Sequence, residues 1–244
     1  SSDVYNTKHF YSNLNDIISE INMSIKKTIA VVSGKGGVGK STITALLATK
    51  MSRFLNIGIL DADIYGPNQA ILLDVQAKQV MTNDGLIQPI KVGDLNMYLS
   101  TIAFFLKSDE AAIWRGPMLS ANLKKLYSNT KWGNLDLLLI DMPPGTGDAY
   151  LTCFKHFNVD GCIMITSNSP LTLADNFKTK NLLKKLNIPF LGSIENMHKE
   201  NQDLLQDDSV IDRIEYNETF NSSIFPFKDI DLENLLEATE KLLI

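Results

Sequence analysis

Residues 33–42, SGKGGVGKST, space glycines around two lysines, although one lysine is enough to hold a phosphate. The segment follows an apolar run, TIAVV (28–32), and precedes a helical pattern, which is the setting a phosphate-binding loop requires. Gly34, Gly36, Gly37 and Gly39, with Val38 among them, let successive backbone N–H groups converge on phosphate oxygens without obstruction. The helix opening at Ser41 and Thr42 adds the positive end of its dipole. In this pattern Lys40 reaches the β- and γ-phosphates, and the Ser41 hydroxyl ligates Mg²⁺. Lys35 has no comparable duty within one subunit. It is either a solvated lysine or a charge delivered across an interface to a partner's nucleotide, as an arginine finger acts in trans.

Two acidic segments complete the pattern. DADIYGPN (61–68) ends a second apolar run, and strand ends at this edge of an α/β sheet face the ligand crevice. Asp63 is the candidate for orienting or deprotonating the attacking water, and Asp61 supports the metal shell and the loop. LDLLLIDMPPGTGD (135–148) reads as a Walker B strand whose Asp141 holds Mg²⁺ through water. The stiff turn after it, including Pro144 and Gly145, is placed to sense the γ-phosphate.

The elements that position these residues follow from periodicity. Apolar runs at 28–32, 57–60, 137–140, 161–165 and 189–194 lack alternation, as strands buried on both faces do. Helical patterns lie between them: Ile43, Leu46, Leu47, Met51 and Phe54 recur on one face, and others cover 117–128, 148–157, 171–186 and 230–243. Strands alternating with helices predict an α/β fold, a mostly parallel sheet with helices on both faces. NDG at 83–85 predicts a hairpin within the stretch 75–100. Residues 1–25 read as an extension carrying an amphipathic helix with Phe10, Leu14, Ile17, Ile18 and Ile21 on one face, ahead of a domain over 26–244.

Composition narrows the function. Over 244 residues the chain is 44% hydrophobic and 21% charged, with a net charge of −5, which argues against a nucleic-acid-binding surface. The lysine pairs at 26–27, 124–125 and 184–185 read as solvated helix ends or faces. No apolar run approaches the roughly 18–20 residues of a membrane span, and the first residues lack a signal-peptide layout. Cys153 and Cys162, nine residues apart, match neither a zinc site nor a disulfide framework and read as buried thiols of a cytoplasmic protein.

GKGGVGKST resembles the deviant Walker A loop of the nitrogenase-iron-protein/MinD/ParA class of P-loop ATPases. GILDADIYGPN (58–68), AIWRGPM (112–118), WGNLDLLLIDMPPGTGD (132–148) and IENM (194–197) together resemble the Mrp/ApbC family of ATP-binding iron–sulfur cluster carriers. The resemblance implies a homodimer in which Lys35 contacts nucleotide on the other protomer. It implies Asp63 in switch I, Asp141 to Gly145 in switch II, and Asn196 on the adenine base. Pro226, in a segment that loosely resembles the family's own, falls near the base. It further implies ATP, Mg²⁺ and a [4Fe–4S] cluster exchanged with iron–sulfur scaffold or apo-acceptor proteins.

One departure stands out. The family follows ENM with a CxxC pair, one from each protomer, whose thiolates hold the cluster. Here residues 198–221 contain no cysteine, and His198, Glu200, Asp203, Asp207 and Asp208 read as a solvated acidic loop. The expected function is a slow, dimeric ATPase of iron–sulfur cluster assembly or transfer whose own cluster lacks its usual ligands. The alternatives are a MinD/ParA-like positioning ATPase or a nucleotide-dependent partner-binding switch. The acidic DIDLENLLEATEKLLI (229–244) disfavours binding to anionic lipid as MinD does.

Overall fold

Runs of Val, Ile and Leu without polar interruption become strands covered on both faces. The computed structural model describes residues 25–76, 80–82, 85–105, 116–198 and 209–215. The strands are β1 (Ile25–Val32), β2 (Ile57–Asp61), β3 (Val80–Met81), β4 (Ile87–Gln88), β5 (Ile90–Lys91), β6 (Met97–Thr101), β7 (Leu135–Asp141), β8 (Gly161–Ser167), β9 (Phe190–His198) and β10 (Val210–Glu215). Eight of them form one sheet in the order β10-β9-β8-β1-β7-β2-β6-β5, parallel except where β5 meets β6. β3 and β4 form a separate antiparallel pair, as NDG predicted. The helices are α1 (Lys40–Met51), α2 (Gln69–Leu72), α3 (Gly116–Asn129), α4 (Asp148–His156) and α5 (Pro170–Lys185).

Alternate residues of β1 feed two cores. Ile29 and Val31 pack with Ile43, Leu46 and Leu47 of α1 on one face. Ala30 and Val32 pack on the other with Leu123 and Leu126 of α3, Tyr150 and Cys153 of α4, and Leu183 of α5. Each fully buried aliphatic side chain contributes about 1.5–3 kcal/mol, so both layers hold the central strands firmly. This is the expected α/β architecture. Among the described residues no helix is long and apolar enough to cross a membrane.

Several expectations are corrected. Phe54 is not on the buried face of α1: the helix ends at Met51, and Phe54 is 79% exposed. The stretch 75–100 is more than a hairpin, because Met97–Thr101 joins the main sheet beside β2, with Met97 and Leu99 fully buried. Lys26 and Lys27 lie on β1 rather than on a helix, and Lys26 Nζ pairs with Asp136 Oδ1 at 2.7 Å. The stretch after ENM is not all solvated loop. His198 ends β9, and Val210–Glu215 adds a parallel edge strand because Ile211 and Ile214 reach the core. The helices expected over 9–23 and 230–243, together with Glu200, Asp203, Asp207, Asp208 and Pro226, lie outside the described residues.

Candidate functional site

Parallel register gathers the site. Asp141 of β7 is the Cα partner of both Val31 on β1 and Asp61 on β2, and Asp61 in turn partners Thr101 on β6. The chain leaves these four neighbouring strands at one edge, so the loops that follow them converge there. Met142 N donates to Val31 O at 3.2 Å and Ala62 N to Asp141 O at 3.0 Å, which ties the first residues of those loops to adjacent strands. Gly145 N donates to Ser33 O at 3.2 Å, joining the Pro144–Gly145 turn to the entry of the glycine loop.

The glycine loop is braced from behind. Gly34 lies against the α5 backbone at Asp175 and Asn176, with no room for a side chain. Gly39 caps α1 at φ 84°, and a Cβ there would stand 2.2 Å from Asn196 Nδ2. Asn196, buried at the end of β9, donates from Nδ2 to Val38 O at 2.9 Å, and its Oδ1 has no partner among the described residues. In front of the loop is a pocket of about 440 Å³, lined by Ser33, Gly36, Gly37, Gly39, Lys40, Ser41 and Thr42. Asp63, Tyr65, Gly66, Asn68, Ile71, Leu72 and Pro144 close its other side. The volume falls in the range of small-molecule sites. Lys35 is exposed and makes no salt bridge among the described residues.

The electrostatics centre on Lys40. Its ammonium donates to Asp141 Oδ1 and lies 3.5 Å from Asp63 Oδ2, with both lysine and aspartates buried. Burial opposes the charge, but Asp141, Asp63 and Asp61 outweigh it and hold the Lys40 pKa above the ordinary lysine value. Asp61 is fully buried and accepts from Thr101 Oγ1 at 3.0 Å, Gln69 N at 3.2 Å and Asp63 N at 3.3 Å. Burial first, and then the Asp141 charge, push Asp61 well above the carboxylate range despite those donors. Asp63 is raised as well, chiefly by burial. One ammonium therefore faces three carboxyl groups, whose oxygens can also meet a second cation. The donors suit a hard divalent ion, since Ser41, Asp63 and Asp141 offer oxygen only. Among the described residues no cluster of three or more His, Cys, Asp and Glu is arranged to hold a metal ion alone. A cation here would need water or a ligand's oxygens to complete its shell.

Two residues at this centre had not been singled out from sequence. Gln69 bonds both Asp141 and Ser41, and Thr101 bonds Asp61. The available signals were weak: a polar residue opening the otherwise apolar QAILL, and a threonine ending an unrecognised strand. Cys153 and Cys162 are free thiols sealed in the core. Burial pushes Cys162 up to about 12 and Cys153 higher still, so neither is a ready thiolate.

A family model described as ParA, NUBPL iron-transfer P-loop NTPase, matches residues 24–214. The iron–sulfur cluster carrier protein of Rickettsia felis is 45% identical over 191 residues, 78% of this chain and 56% of that protein. The iron–sulfur cluster transfer protein NUBPL of Dictyostelium discoideum is 38% identical over 174 residues, 71% of this chain and 54% of its own length. The chain thus spans a little over half the length of these relatives. Among solved structures, an Archaeoglobus fulgidus nucleotide-binding protein in complex with ADP superposes with a TM-score of 0.69 at 29% identity, covering 84% of this chain and 87% of that one. The Pyrococcus furiosus cell division ATPase MinD gives 0.69 at 20% identity over 88% and 99%, a likeness of fold alone.

The raised pKa of Asp61 has a stability consequence. Between its unfolded and folded pKa values the native state binds more protons, so stability falls as pH rises through that window and stays reduced above it. Asp61→Asn keeps an acceptor for Thr101 and Gln69 but removes the charge. Thermal melts without nucleotide should show this variant more stable at pH 8 by roughly 2–4 °C, the effect of about 1 kcal/mol at this domain size, with a smaller gain at pH 5. An unchanged or lower melting point at pH 8 would contradict the assignment.

Proposed function

The chain belongs to the NUBPL iron-transfer P-loop NTPase family, and on that premise we propose that it binds and slowly hydrolyses Mg²⁺–ATP as a homodimer, in the service of iron–sulfur cluster assembly or transfer. The observation that carries this reading is Lys40, a buried cation beside Asp63 and Asp141 at the floor of a glycine-lined pocket. A lysine so placed has a short path from carboxylates to phosphates.

In this reading ATP lies along Gly34 to Thr42, its phosphates received by the loop N–H groups and by Lys40. Ser41 and, through water, Asp141 would hold Mg²⁺, which would supply positive charge beside the β- and γ-phosphates. Asp63 orients the attacking water as Lys40 turns away from it. Pro144 and Gly145, tied to Ser33, register the γ-phosphate and carry its state toward α4. Asn196 has its nitrogen committed to Val38, which leaves Oδ1 to accept from the adenine amino group. Exposed Lys35 extends to the nucleotide of the second protomer and supplies charge in trans, as the deviant loop implies.

The cargo is a separate matter from the motor. A [4Fe–4S] cluster needs accessible thiolates, and the two cysteines of this sequence are both sealed in the core. Cluster handled by this chain therefore uses ligands other than Cys153 and Cys162. The free thiols suit a reducing, cytoplasmic setting.

Two experiments test this reading. Lys40→Ala should abolish ATP binding, whereas Lys35→Ala should bind ATP yet lose ATP-dependent dimerisation in light scattering and on the order of 10³-fold in turnover. Normal turnover in Lys35→Ala would remove the role in trans. In anaerobic reconstitution with iron and sulfide, any cluster that forms should survive Cys153→Ser and Cys162→Ser unchanged. Loss of cluster in either folded variant would show that these buried thiols are ligands after all.

A further inference from the structure

Gln69 opens α2 just after the Asp63 loop and is fully buried, yet none of the roles above uses it. Its Nε2 donates to Asp141 Oδ2 at 2.8 Å and to the Ser41 carbonyl at 2.9 Å. The Ser41 carbonyl can only accept, so the amide nitrogen must face it and the orientation is fixed by chemistry. That leaves Oε1 buried with no partner among the described residues. An unsatisfied buried acceptor carries a desolvation cost that a residue serving only to pack would avoid. Asp141 is thus restrained on both oxygens, Oδ1 by Lys40 and Oδ2 by Gln69.

The two restraints have different fates. Lys40 is wanted by the phosphates; Gln69 is not. We propose that Gln69 is the positioning residue of Asp141, holding its carboxylate toward hydrated Mg²⁺ once Lys40 leaves, with the free Oε1 accepting from a water of that shell. Residues outside a metal's direct ligands that orient those ligands commonly control affinity in this way. Because Gln69 N also donates to Asp61 Oδ2, the same residue joins the 65–72 segment to the ends of β2 and β7. The segment carries Tyr65, Asn68, Ile71 and Leu72 of the pocket wall, so its order should follow the presence of metal. This inference rests on the Mg²⁺–ATP reading above.

The test is a fluorescent-ATP titration of the wild type and Gln69→Leu, each with Mg²⁺ and with chelator, joined to hydrogen exchange over residues 65–72. The wild type should bind more tightly with Mg²⁺, with slower exchange in that segment. Gln69→Leu should keep the wild-type affinity for metal-free ATP, lose about tenfold in affinity for Mg²⁺–ATP, and show no metal-dependent slowing. Gln69→Met, of similar length and without a donor, provides the same comparison if the leucine variant does not fold. Equal losses with and without metal, or no loss at all, would overturn the inference and reduce Gln69 to packing. A wild type that binds no ATP under either condition would overturn the functional reading itself.

Discussion

A lysine ammonium buried among carboxylates is the constraint on which the site depends. Lys40 is 6% exposed, and it is tolerated there because Asp141 and Asp63 lie against it. Removing one member of such a group strands an uncompensated buried charge, which typically costs about 3–5 kcal/mol. The aspartates are in place because parallel strands align Asp61 with Asp141 residue for residue. The α1 start is in place because β1 runs between β7 and β8 and delivers the glycine loop to the same edge. Fold and charge arrangement are thus one problem: a register shift by a single residue would turn Asp141 from the site into an apolar layer.

The same arrangement explains why the carboxylates have unequal characters. Asp141 takes Lys40 on one oxygen and Gln69 on the other, so an ammonium and an amide donor both lie against it. Asp61 is equally buried but has neutral donors alone in hydrogen-bond contact, and its proton is correspondingly hard to remove. Asp63 is the most accessible of the three and borders the pocket, which suits the part of meeting water and phosphate. Three aspartates that look alike in DADIYGPN and LLLIDMPP differ in character because of what surrounds them.

Much of this was legible beforehand. The glycine loop, the DxD and the apolar run ending in Asp141 are local signals, each needing only the strand–loop–helix context that the chain itself displays. What escaped detection depends on tertiary contact. Met97–Thr101 mixes Tyr98, Ser100 and Thr101 with Met97 and Leu99, and becomes a sheet strand because β2 offers a parallel edge. Val210–Glu215 is charged at Asp212, Arg213 and Glu215, and is a strand because β9 offers an edge too. Arg213 Nε and His198 Nδ1 both reach the buried Glu195, contacts that no spacing announces. Phe54 continues the helical period of α1, but the helix stops at Met51 and leaves the ring outside. Gln69 is one polar residue in an apolar run, and its partners are 28 and 72 positions away.

The exchange of Lys40 between carboxylate and phosphate is the event from which the proposed chemistry follows. It is read most directly from a crystal structure with Mg²⁺ and a non-hydrolysable ATP analogue. Lys40 Nζ should then bond phosphate oxygens and have left Asp141 Oδ1, with Asp141 turned toward a metal-bound water. A bound nucleotide whose phosphates are held without Lys40, with Lys40 still paired to Asp141, would contradict the mechanism at its root.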